Sequence, residues 1–443
     1  MVRVTFVGAG STVFVKNIVG DLFLDPSVPA ELQIALYDID GHRLEESQLV
    51  VQALNERYNR GHAVVETFLG VPRRRAALSG ADFVINTIQV GGYKPATVAD
   101  FEIPRKYGLR QTIGDTLGIG GIFRGLRTIP VVLDIAEEMA AVAPRAILLN
   151  YTNPMAIVTG AVLLHSPVET VGLCHSVQVC APVLLSALGM SAADLRWKIA
   201  GINHMAWLLE IRDGDTDLYP EVKRRAAARN RHALETGELH DDMVRYEIMR
   251  LFGHYVTESS EHNAEYTPFW IKSGAPHLID AYNVPLDEYP RRCETQIAEW
   301  AQQKEAILAG SALDHQRSVE YAASIVGARV QDAPVRIHGN VLNRGLITNL
   351  PSDAIVEVPL LVDGNGLNPT TVGALPTQCA ALNQTNINVH MLTIEAAIQC
   401  SRERVYQAAL LDPHTAAELS PDQIIAMCDD LFEAHREWLP EYR

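Results

Sequence analysis

The chain has 443 residues, 48% of them hydrophobic and 20% charged, with a formal net charge of −16. That is the composition of a globular protein long enough to form two closely joined domains. So large a negative excess argues against nucleic acid and anionic membrane as partners, because either polyanion is repelled without a concentrated basic patch.

Taken from the first residue, the chain shows neither a secretion leader nor a run of about eighteen uninterrupted apolar residues. Its six cysteines (Cys174, Cys180, Cys293, Cys379, Cys400 and Cys428) are scattered rather than spaced as a disulfide framework, so the expectation is a cytoplasmic protein with free thiols. The first half alternates short β-branched runs at 2–7, 33–37, 83–87, 147–150 and 170–173 with helical periodicity, for example over 43–58 and 129–143. This is the pattern of an α/β fold, an N-terminal Rossmann-like doubly wound parallel sheet. Arg73-Arg74-Arg75 reads as a solvated turn between strand and helix. The segment 200–211 reads as one further strand. Beyond about residue 215 the pattern changes to charge-rich helices with β-type segments at 335–350 and 355–362 and final helices at 385–410 and 421–439. We expect an NAD-binding domain over 1–200 joined to a mixed α+β domain over 201–443 that serves substrate, metal and homo-oligomer contacts.

Gly8-Ala9-Gly10-Ser11 directly follows the first strand and precedes an apolar-periodic stretch. This is the strand, tight turn and helix that binds a dinucleotide pyrophosphate, with Gly8 for the turn and Gly10 and Ser11 where the phosphate meets the helix N-terminus. The third glycine of the usual fingerprint is replaced by Val13. Asp38, at the end of the second strand, suits the ribose hydroxyls and would repel a 2′-phosphate, which favours NAD, while neighbouring Arg43 leaves NADP open. Asp38 reads alternatively as the N-cap of the helix that follows.

Cys174-His175 ends the fifth expected strand, and Asn203-His204 begins the next. A thiolate and an imidazole at strand ends form a borderline-soft ligand pair, although each alone is also an ordinary core residue. The glycine-rich loop Gly114 to Gly121, with Asp115 and the following Arg124, is too rich in glycine for a helix interior. It reads as a wall for cofactor and substrate, or as a plain crossover loop.

Four segments, in this order, resemble glycoside hydrolase family 4: Gly8-Ala9-Gly10-Ser11, Asn150-Tyr151-Thr152-Asn153-Pro154-Met155, Cys174-His175-Ser176-Val177 and Gly201-Ile202-Asn203-His204. Three more, Thr257-Glu258-Ser259-Ser260-Glu261-His262, Glu265-Tyr266-Thr267-Pro268 and Asn383-Gln384-Thr385-Asn386-Ile387-Asn388, are similar to the melibiose-hydrolysing α-galactosidases of that family. The resemblance implies an α-galactosidase that retains NAD and uses Mn²⁺ held by Cys174 and His204. Its route would be oxidation at sugar C3, elimination, water addition and re-reduction. NAD-dependent family 4 enzymes are a known exception to two-carboxylate glycosidases.

It further implies that His175 is the acid at the leaving group, or alternatively a partner of a sugar hydroxyl, that Asn153 binds substrate hydroxyls, and that Asn150 lies on the cofactor side. The base at C2 stays open among Glu258, His262 and Tyr266, in a stretch that also reads as a helix junction capped by Ser259 or Ser260. Within the family, α-glucosides and galacturonides are alternative substrates. Outside it, the alternatives are a hydroxy-acid dehydrogenase and a non-catalytic nucleotide-binding regulator.

Overall fold

A computed structural model describes residues 1–308 and 314–443. Its framework is one sheet of 13 strands: β1 Val2–Val7, β2 Leu32–Asp38, β3 Val64–Leu69, β4 Phe83–Asn86, β5 Ile147–Asn150, β6 Thr170–Gly172, β7 Leu195–Ile202, β8 Met205–Asp213, β9 Thr216–Asp217, β10 Tyr255–Val256, β11 Val335–Leu342, β12 Ile355–Asp363 and β13 Gly366–Pro369. Strands β3-β2-β1-β4-β5-β6 are mutually parallel, which is the doubly wound dinucleotide-binding order. Their residues read as continuous apolar runs because helices cover both faces; Val4, Phe6, Ile34, Leu36, Val84, Leu148 and Leu149 are fully buried. Truncating one such side chain to alanine costs about 2–5 kcal/mol.

The sheet continues through antiparallel partners, β6 to β11, β11 to β12, β12 to β7, β7 to β8 and β8 to β10. Strands from the second half of the chain therefore extend the first-half sheet. Helices Thr377–Gln399, Arg402–Leu411 and Pro421–Ala434 close over helices Gly118–Val142 and Met155–His165 through a second core that includes Leu126, Ile157, Ile394, Val405 and Leu431.

Several local expectations are corrected. The 200–211 segment is two strands, β7 and β8, joined at Asn203-His204, a turn that carries no glycine to announce it. The 385–410 helix is broken at Cys400, whose φ is 50°. Strand β11 stops at Leu342, where the Asn343 side chain ties down a turn through Ile347, Leu350 and Pro351. Arg73-Arg74-Arg75 lies inside helix Val71–Leu78, and Arg74 is buried in a two-point pair with Glu138 at 2.9 Å. The glycine-rich stretch enters helix Gly118–Val142 at Gly118. A Cβ on Gly120 would lie 2.3 Å from the Gly114 carbonyl oxygen, so its glycine serves close packing. All six cysteines are free. No described helix is long and apolar enough to cross a membrane.

Candidate active site

The order in which strands are added reverses between β1 and β4, with β2 and β3 on one side and β5 and β6 on the other, and ligands of such sheets lie at the carboxyl ends of the strands at this point. Gly8 there has φ +88°, and a Cβ would come 2.8 Å from the Ile88 nitrogen. The Gly8 and Ala9 amides donate to the Tyr37 carbonyl at 3.0 and 2.9 Å. Asp38 faces this turn: its Oδ2 accepts from the Gly10 amide at 2.6 Å and its Oδ1 from the Asp40 amide at 2.9 Å. The helix cap is Asp40, which accepts from the His42 and Arg43 amides, so Asp38 is not the N-cap. A cradle that excludes side chains and carries a carboxylate at its rim suits a ribose and pyrophosphate. Ser11 flanks helix Thr12–Leu24 without a side-chain cap bond, which leaves its hydroxyl available.

Asn150 is committed to the protein. Its Nδ2 donates to the Thr152 carbonyl at 3.2 Å and the Thr159 hydroxyl at 3.0 Å, while Oδ1 accepts from Asn86 Nδ2 and the Thr152 amide. It shapes the loop that carries Asn153. There Asn153 Nδ2 donates to Asp115 Oδ2 at 3.1 Å, and Arg124 Nε donates to the Asn153 carbonyl at 3.2 Å. Arg124 also donates to the Tyr289 hydroxyl at 3.1 Å, so the glycine-rich segment meets the Asn153 loop and helix Glu288–Leu308 at one point.

The antiparallel half delivers the remaining groups. The Thr257 amide donates to the Ala206 carbonyl at 2.8 Å and Thr257 Oγ1 accepts from the Ala206 amide at 3.1 Å, which pins the segment after β10 beside the β7–β8 turn. Consequently Cys174, His204 and Glu258 converge, their donor atoms all within 4.8 Å of one another. Glu258 Oε2 lies 3.4 Å from His204 Nε2 and 3.8 Å from Cys174 Sγ. Thiolate, imidazole and carboxylate at this spacing fit one divalent ion of the Mn²⁺ or Zn²⁺ type.

The neighbouring groups orient these three. Tyr266 OH lies 3.0 Å from His204 Nδ1, which turns Nε2 toward Glu258. His262 Nδ1 lies 2.7 Å from Ser259 Oγ and 3.7 Å from Glu258 Oε1, so Ser259 serves the histidine rather than a helix amide. Asn203, beside His204, is buried with neither amide atom partnered among the described residues, a costly arrangement for a group with no ligand-facing role.

Burial pushes the His204 imidazole down to about 4, against the pull of Glu258, so the ring is in the neutral form that ligates a metal. Burial opposes ionisation of Glu258, but His204, His262 and His175 outweigh it and hold the carboxyl at about 2. Burial, reinforced by Glu258 and Glu357, pushes the Cys174 thiol well above its ordinary range. His175 is half-exposed, and a hydrogen bond to Glu320, opposed by burial, raises its basicity.

Reading the sequence alone missed three residues here. Tyr289 and Glu320 come from the second half without a motif. Glu357, on β12, is a fully buried acid that burial raises to about 8, with Oε1 accepting from Asn340 at 3.2 Å.

Residues 3–190 match the family described as family 4 glycosyl hydrolase, and residues 199–415 match the family 4 glycosyl hydrolase C-terminal domain. The chain is 55% identical to an alpha-galactosidase of Bacillus subtilis (strain 168) over 100% of both chains. It is 33% identical to an alpha-galactosidase of Rhizobium meliloti (strain 1021) over 99% of this chain and 89% of that one. Among solved structures, the putative glucosidase lplD from Bacillus subtilis superposes with a TM-score of 0.86 at 24% identity, covering 97% of this chain and 99% of its own. A 6-phospho-alpha-glucosidase from gut microorganisms, in complex with NAD and Mn²⁺, superposes with a TM-score of 0.82 at 22% identity over 100% of both chains.

Proposed function

The chain belongs to the family 4 glycosyl hydrolases, and on that premise we propose that it is an α-galactosidase that cleaves α-galactosides such as melibiose with bound NAD and Mn²⁺. The observation that carries this reading is the convergence of Cys174, His204 and Glu258, with Cys174 just past the carboxyl end of β6, on the same edge of the parallel sheet as the Gly8–Gly10 turn that follows β1. A hydroxy-acid dehydrogenase has no need of such a donor set. The curated α-galactosidases at 55% and 33% identity favour an unphosphorylated galactoside.

Cys174 and His204 would hold the metal, with Glu258 in reach as a third donor, and the Gly8–Gly10 turn, Ser11 and Asp38 would hold the dinucleotide. When bound, NAD supplies a reversible hydride acceptor for sugar C3 and Mn²⁺ the electrophile that acidifies the C2 proton. Glu258 takes that proton: it is ionised, it lies against both proposed ligands, and the His262 ring stands 3.7 Å behind it. Tyr266 and His262 are positioning groups, the first for His204 and the second for Glu258. His175 gives a proton to the departing glycosidic oxygen. Asn153, held by Asp115 and Arg124, and the unpartnered amide of Asn203 bind sugar hydroxyls. Asn150 acts through the loop it shapes. Cytoplasmic location accords with the free thiols, and it and a homo-oligomeric state belong to this proposal.

The test is release of nitrophenol from its α-galactoside, which should require NAD and Mn²⁺ together and leave no NADH behind. Net NADH formation would identify a dehydrogenase instead.

A further inference from the structure

Residues 314–321 form a strap against the helix of the dinucleotide turn, Thr12–Leu24. Asp21, in that helix and 1% exposed, anchors it. Asp21 Oδ1 lies 2.8 Å from His315 Nε2 and accepts from the Ser318 amide at 2.8 Å, and Oδ2 accepts from the Ser318 hydroxyl. Arg317 donates to Asp25 at 2.6 Å one turn further on, and the His315 amide donates to Tyr58 OH at 2.8 Å. The fit leaves no tolerance, since a Cβ on Gly20 would lie 2.3 Å from the His315 ring. The Ser318 hydroxyl in turn accepts from the Glu320 amide at 3.2 Å, which fixes the direction in which residue 320 leaves the strap.

Glu320 ends at His175, with Oε1 3.3 Å from Nδ1. Its other oxygen, Oε2, is buried and has no hydrogen-bond partner among the described residues. A buried carboxylate with one weakly placed neighbour detracts from folding stability. Three anchors nevertheless hold it at His175, the leaving-group acid of the proposed reaction.

We propose that Glu320 is the positioning residue for His175: by accepting from Nδ1 it fixes the ring so that Nε2 is presented to the glycosidic oxygen, and the Asp21 strap ties that orientation to the cofactor-binding helix. This rests on His175 being the leaving-group acid. Orientation of an acid matters where the leaving group cannot depart without a proton, and little where it can.

The experiment compares kcat and KM on melibiose, whose alkoxide is a poor leaving group, with those on nitrophenyl α-galactoside, whose phenolate is a good one. It uses the Mn²⁺- and NAD-loaded enzyme and its Glu320→Ala, His175→Ala and double variants. We expect Glu320→Ala to lose about 100-fold in kcat on melibiose, with KM and the nitrophenyl rate nearly unchanged, and the double variant to lose no more than His175→Ala alone. Glu320→Gln, closer in shape, is read by the same ratio if the alanine variant melts early. Equal losses on both substrates for the Glu320 variant, with a selective loss for His175→Ala, would overturn the role of Glu320 and leave the acid assignment standing. Equal losses for His175→Ala would remove the acid assignment and this inference with it.

Discussion

Glu258 Oε2 lies 3.4 Å from His204 Nε2, and both residues have positive φ, 63° and 61°. Non-glycine residues in this region cost about 1–3 kcal/mol each unless the surroundings impose it. Here the β7–β8 turn imposes it on one and the Thr257 bonds on the other, and the result is a carboxylate facing an imidazole. Replacing Glu258 by Gln keeps the shape and removes the charge. We predict that it lowers kcat by about 10²–10⁴-fold, while Cys174→Ser and His204→Ala abolish both Mn²⁺ binding and activity. Calorimetry alongside the nitrophenyl assay separates the two outcomes, and full activity of any of these variants after exhaustive chelation contradicts the assignment.

Burial and Glu258 keep the Cys174 thiol protonated in the metal-free protein, whereas a metal binds the thiolate. Uptake of Mn²⁺ should therefore release about one proton, and affinity should rise with pH across the neutral range. His204, already neutral above about 4, adds nothing to that slope. Titrations in buffers of different ionisation enthalpy count the proton; heats that do not depend on the buffer would show that Cys174 is not a ligand.

Asp38→Ala removes a carboxylate that holds the Gly10 amide at 2.6 Å and that, in the proposed site, would accept the ribose hydroxyls. Loss of a charged hydrogen bond of about 1.5–3 kcal/mol corresponds to about 10–100-fold weaker NAD binding. Fluorescence titration with NAD measures it directly, and an unchanged Kd would place the ribose elsewhere.

His338 is 2% exposed, and burial, helped by Arg336, lowers its pKa to about 3 from the ordinary 6.5. Between those values the unfolded chain takes up a proton that the folded chain refuses, so stability is lost as pH falls below 6.5. The contribution reaches about 1.4 kcal/mol per pH unit in that window. His338→Gln should lower Tm near neutrality and make its decline toward acid shallower; parallel curves for the two proteins would rule this out.

The parallel half of the sheet, the glycine turn, Asp38 and the Cys174-His175 strand end were legible because each is set by residues adjacent in sequence. Strand β3 was not, since Glu66 and Thr67 interrupt its apolar pattern at the sheet edge. Arg74 looked solvated because its partner Glu138 is distant in sequence. In sequence His204 reads as a strand start, whereas it occupies a turn between two strands whose pairing only the fold defines. Glu258, His262 and Tyr266 could not be ranked, since their roles depend on which of them β10 swings toward His204. Glu320 had no motif at all, because its position comes from Asp21 on a helix at the other end of the chain.

Elimination requires that the sugar's C2 proton leave and be replaced during hydrolysis, and product isotope analysis reads that exchange. Melibiose hydrolysed by the Mn²⁺- and NAD-loaded enzyme in deuterated water should yield galactose carrying deuterium at C2, with no net NADH. Direct displacement at C1 leaves C2 untouched, so galactose fully protiated at C2 by NMR would rule out elimination.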